Sequence, residues 1–126
     1  MYKIVYPVLG FESTKKLKII EQDEYFSTLI LDNEAEVKVH LVHIDYINKF
    51  SLNFRIEPKI LEGLNVSKKE EFDIYFCLVI QNPIEESIVN LIAPILINHK
   101  DKLVGQYVVT DRVPRFFATL KETTTL

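Results

Sequence analysis

The chain has 126 residues, 48% of them hydrophobic and 26% charged, and its formal net charge is −3. That length supports one core in a single domain spanning residues 1–126. Only 3 glycines and 5 prolines exclude collagen-like and linker-rich chains, and the negative balance disfavours a generic phosphate-backbone binder.

The opening "MYKIVYPVLGF" places Pro7 and Gly10 where a signal peptide would continue its apolar core, so a cytoplasmic location is expected. No apolar run approaches the roughly 20 residues of a membrane-crossing helix. Short polar breaks punctuate the chain in the manner of an all-β domain. Strands are predicted at residues 2–6, 17–21, 26–31 and 37–44, with "VLGFESTKK" and "DNEAE" as connections. A further strand is predicted at 53–57. In "EPKILEGLNV", Pro58 suits the first turn of a helix and Gly63 its end, which predicts one short helix packed on the sheet.

Strands at 72–81, 89–98 and 103–110, with a weaker one at 116–120, complete the set. The first of these is apolar on both faces, with Phe72, Ile74, Phe76, Leu78 and Ile80 on one and Tyr75, Cys77 and Val79 on the other. "NLIAPILIN" (residues 90–98) is also apolar on both parities. Either the chain's own helix, loops and C-terminal segment cover the second face, the preferred reading, or another chain does. Pro94 lacks an N–H, so its run reads as two strand pieces joined at a bend and compatible with a sheet edge. The fold class is therefore all-β, a small, strongly curved antiparallel barrel-like domain with one short helix.

Candidate chemistry is sparse. His40 and His43 stand an odd number of residues apart and face opposite sides of one strand, so no metal site is expected. Cys77 is the single cysteine, inside an apolar run, and reads as a buried thiol. Glu70/Glu71 and Glu85/Glu86 sit in turns, no glycine-rich phosphate loop exists, and no serine has a nucleophile's setting; neither enzyme activity nor a cofactor is expected. Exposed tyrosines and phenylalanines on a small barrel offer an alternative reading as an RNA-binding protein, which three arginines and the acidic balance disfavour.

Charge is unevenly spread. Residues 1–36 hold four lysines against seven acidic residues, and residues 99–121 hold five basic residues against two acidic ones. Glu34 and Glu36 are therefore candidates for contact with a basic partner. Asn90 and Asn98 bracket the bend and are read first as caps of its backbone, second as partner contacts. Tyr107 is a candidate anchor, equally suited to the core.

Asn90, Leu91, Ala93, Pro94, Ile95, Ile97 and Asn98, followed by Gly105, Gln106 and Val108, resemble the most characteristic motif of the flagellar assembly factor FliW family. "LGFE" at residues 9–12 is similar to that family's opening motif, while "HIDYINKFSLNF" and "RVPRFFATL" depart from its usual pattern. The resemblance implies a compact, barrel-like cytoplasmic factor that binds flagellin and also CsrA, a small RNA-binding translational repressor. Free factor would bind CsrA away from its RNA surface and relieve repression. The implied role is partner exchange; separately, neither direct nucleic-acid nor membrane binding is expected, and the oligomeric state is open with a monomer favoured.

Overall fold

The computed structural model describes residues 1–48, 54–111 and 115–124. Nine strands form one sheet: β1 (Tyr2–Tyr6), β2 (Lys16–Glu21), β3 (Phe26–Leu31), β4 (Lys38–His43), β5 (Asp73–Val79), β6 (Ile88–Asn90), β7 (Ile95–Asn98), β8 (Leu103–Gln106) and β9 (Phe117–Thr119). Among the described residues two short helices, α1 (Pro58–Gly63) and α2 (Leu120–Thr123), accompany these strands where the sequence predicts one. The order β4-β3-β2-β1-β8-β7-β5 returns to β4 through a β4–β5 pairing and closes a seven-strand barrel. All its pairings are antiparallel except β1 with β8, which run parallel.

Alternation on these strands builds the barrel interior from Ile4, Leu17, Leu29, Leu41, Tyr75, Ile95, Ile97 and Val104, with Cys77 partly buried beside them. The second apolar faces of β4, β5 and β7 point outward and are covered by the chain itself. Val42, Phe76 and Leu78 pack under Ile47, Leu91, Ala118 and Leu120. Leu96 packs with Leu64, Val66, Tyr107 and Val109. The internal cover preferred from the sequence is what the fold uses.

"NLIAPILIN" is one interrupted strand. Both β6 and β7 lie along the same edge of β5, with Leu78 opposite Val89 and Tyr75 opposite Ile95. Phe76 and Cys77 therefore face the five residues 90–94, and the surplus forms the bend that Pro94 requires. The two pieces joined at a bend are as expected, and neither uses the sheet edge they were compatible with: β7 lies between β5 and β8, and β6 between β5 and β9. Pro94 is tolerated because it sits in the break, where only its carbonyl is used, accepting from the Tyr107 N–H at 2.9 Å.

The predicted strand at 53–57 does not form: residues 54–57 carry no strand, and Asn53 lies outside the described residues. At Arg55 the backbone bonds to side chains in place of a ladder, its N–H to Asp111 and its carbonyl to the Tyr107 hydroxyl, so this segment stays outside the sheet. It serves the outer layer, with Phe54 edge-on to Phe76 at 6.4 Å between ring centres. The 103–110 strand stops at Gln106, after which Tyr107 and Val109 bond to the bend through the carbonyls of Pro94 and Ile92. Gly63 ends α1 as expected, but the left-handed residue beyond it is Asn65 at φ 57°. The lack of a side chain at Gly63 serves a close approach instead. A Cβ there would lie 2.0 Å from the Tyr6 hydroxyl, and one at Gly105 2.7 Å from the same ring. The Tyr6 side chain is held between the two glycines and donates to the carbonyls of Lys59 and Ile60.

Candidate partner-binding surface

One end of the barrel gathers the loop before β2, the β3–β4 turn, the end of β8 and the bend between β6 and β7. The loop begins at Gly10, whose φ of 90° suits glycine. Its N–H donates to Glu12 Oε1 at 3.1 Å, and this backbone bond holds the Glu12 carboxyl below the usual range. Gln106 fixes the loop to the barrel: its Oε1 accepts from the Leu9 N–H at 2.8 Å while its Nε2 donates to the Ala93 carbonyl at 2.9 Å. The β3–β4 turn joins the same rim through Asn33 Nδ2 to Thr14 Oγ1 at 3.5 Å.

Glu34 and Glu36 are exposed in that turn. Glu36 adopts φ 47°, a left-handed geometry held by its N–H bond to the Asn33 carbonyl at 3.1 Å. The tips of these two connections carry Glu12, Glu34 and Glu36, while Asp32, whose N–H donates to the Lys16 carbonyl at 3.0 Å, stands at the strand roots with Lys15, Lys16 and Lys38. Leu9, Val79 and Val108, all at least half exposed, add aliphatic surface at this end. The arrangement is a carboxylate-tipped rim with apolar surface beside it, suited to a cationic and partly apolar protein surface.

The five residues singled out from the sequence do not form one cluster. Glu34, Glu36 and the Asn90 bend share this end. Asn90 Oδ1 accepts from the N–H groups of Ile92 and Ala93 at 3.0 and 3.2 Å and shapes the bend. Asn98 lies at the other end of β7, only 2% exposed. It donates from Nδ2 to the Leu64 carbonyl at 2.8 Å and to Asp101 Oδ2 at 3.1 Å, and accepts the Asp101 N–H at 3.2 Å. Tyr107 is 6% exposed in the outer layer, its hydroxyl donating to the Arg55 carbonyl at 3.2 Å.

The opposite end holds a side-chain network that the sequence reading missed. Asp73 accepts from His43 Nε2 and His99 Nε2, each at 3.1 Å, and His99 Nδ1 meets the Tyr2 hydroxyl at 2.7 Å. Register places Asp73 opposite Ile97, two residues before His99, a neighbourhood set by strand pairing rather than by sequence spacing. Among the described residues no group of three or more His, Cys, Asp or Glu is arranged to hold a metal ion. Burial pushes the Cys77 thiol up to about 11, which leaves it protonated and unreactive near neutral pH. No helix of the described residues is long and apolar enough to cross a membrane.

These features define a class first: a small closed β-barrel with an outer layer folded from its own connections. The family described as "FliW protein" matches residues 1–116, and the chain belongs to that family. It is 30% identical over 106 residues to flagellar assembly factor FliW 1 of Wolinella succinogenes, covering 84% of this chain and 81% of that protein. It is 30% identical over 118 residues to flagellar assembly factor FliW of Campylobacter lari, covering 91% and 88%. A crystal structure of the flagellar assembly factor FliW shares the fold, with a TM-score of 0.82, 21% identity, and coverage of 94% of this chain and 83% of that one.

Proposed function

We propose that the chain is a non-enzymatic, cytoplasmic flagellar assembly factor that acts by binding proteins. Its partners are flagellin and, when flagellin is exported, a CsrA-type translational repressor that it removes from messenger RNA. Membership of the FliW family and the names of its relatives support the flagellar role. The exposed Glu34–Glu36 turn, on a rim with Glu12, carries the repressor part of the reading, because an RNA-binding repressor presents the opposite charge. Asn90 belongs to this rim through its bend, whereas Asn98 and Tyr107 contribute by holding the scaffold.

Co-purification with flagellin and with the repressor tests the two partnerships, and failure to bind either at micromolar concentration from folded protein overturns the proposal. For the surface, Glu34→Lys with Glu36→Lys should weaken repressor binding and alter its salt dependence. Titrations at two salt concentrations that match the wild type would remove this rim from the interface. In a mobility-shift assay the protein alone should leave RNA unshifted and should free RNA from the bound repressor.

A further inference from the structure

His43 links two structures. It ends β4 and caps the 3-10 turn Ile44–Tyr46, its Nδ1 accepting the Asp45 N–H at 3.0 Å. Its Nε2 meets Asp73 Oδ1 on β5, and its ring stands edge-on to Tyr75 at 4.9 Å. The capped turn anchors the outer layer: the Tyr46 ring packs against Tyr25 and Phe26, Ile47 is buried, and the Asn48 N–H donates to the Thr123 carbonyl at 3.0 Å.

The proton positions follow from the partners. An ionised Asp73 only accepts, so His43 and His99 each carry a proton on Nε2. The second nitrogen differs between them. His99 Nδ1 faces the Tyr2 hydroxyl, which can donate or accept and so suits either charge state. His43 Nδ1 faces a backbone N–H, which can only donate. A proton on this nitrogen would set two donors against each other.

We infer that His43 is a proton-sensitive cap: the Ile44–Tyr46 turn is held while Nδ1 is bare and loosens when Nδ1 takes up a proton. The nearest alternative acceptor is Asp45 Oδ2 at 3.6 Å, on the same turn, so the protonated ring exchanges a backbone cap for a side-chain ion pair and Asp45 must move. Other groups facing the site are Asp73 on β5, Tyr75 beside the ring, and His99 and Tyr2 beyond Asp73. Glu21 on β2 lies near enough to act on both phenols. Burial raises Tyr2 and Tyr75 above the usual range, so neither adds charge as the medium is acidified. The inference is independent of which protein the barrel binds.

The test is amide exchange of the full chain, expressed as protection relative to the unfolded rate, from about pH 8 to about pH 5, the range in which imidazoles change charge. Protection at the Asp45 amide, bonded to His43 Nδ1, and at the Ile47 amide, bonded to the Ile44 carbonyl, should fall roughly five- to tenfold on acidification, the loss expected for one hydrogen bond. Nitrogen shifts should show His43 protonated on Nε2 alone at the alkaline end. His43→Asn keeps a side-chain oxygen for the Asp45 N–H and should give flat protection. An Nδ1–H tautomer, unchanged wild-type protection, or an equal response in His43→Asn would each overturn the inference. A His43→Asn chain that does not fold leaves Asp45→Asn as the second arm. Without its ion-pair alternative, that variant should lose its turn protection at a lower pH than the wild type, and an identical profile is evidence against the cap.

Discussion

The barrel interior and the outer layer are both apolar cores, but they are assembled by different rules. The interior takes alternate residues from seven paired strands, and Leu17, Leu29, Leu31 and Leu41 are fully buried there. The outer layer rests on the opposite faces of the same strands and is closed by connections, helix ends and β9. The same β5 residues thus serve both, Tyr75 inward and Phe76 and Leu78 outward. A closed barrel of this size can place a second core on its wall when irregular segments supply the lid.

The largest effect should come from Phe76→Ala. If the outer layer is a core of equal standing, losing this fully buried ring costs about 3–5 kcal/mol, comparable with a buried leucine of the interior. Urea denaturation measures it, and a loss below about 1 kcal/mol would demote the layer to a loose cover. Asn98→Ala should come next, at about 1–3 kcal/mol, because it strips the Leu64 carbonyl of its partner and cuts a tie between β7 and the end of α1. Here exchange should quicken mainly at residues 64–66, sharpening the division between wall and lid.

The smallest effect concerns α2. The Glu122 carboxyl is held at about 2, chiefly by the Thr119 N–H and then by Arg115 and the Thr119 hydroxyl. Its pKa is lowered by folding, so its contribution is present above the ordinary carboxylate range and is lost as pH falls from that range to about 2. Protection at the Thr119 and Glu122 amides should fall across that interval in the wild type and change little in Glu122→Gln. Equal profiles would show that the cap does not depend on the charge.

Most strands, the α1 helix and the interrupted run around Pro94 were legible because they depend on local rules: alternation, proline chemistry and turn residues. The parallel β1–β8 pair was not, since nothing in Tyr2–Tyr6 specifies which distant strand it meets. Residues 54–57 alternate as a strand does, but the Arg55 backbone bonds to the side chains of Asp111 and Tyr107, partners too distant in the chain to be read from the pattern. Of the site, the acidic character of the Glu34–Glu36 turn was visible, but its place on one rim with Glu12 depends on the bond from Asn33 to Thr14. The His43–Asp73–His99 network joins β4, β5 and the β7–β8 turn, and three residues so far apart in the chain give no spacing signal.

The parallel seam also governs when the molecule can form. Lys3 pairs with Leu103, one hundred positions later, so the cylinder cannot be completed until β8 has been synthesised. Until then the β1–β4 meander has local partners but two open borders, and the entropy of the final closure falls late. Growing chains would therefore expose aliphatic strand surface until β8 has been made, and completion of the ring through β8 is the event that hides it.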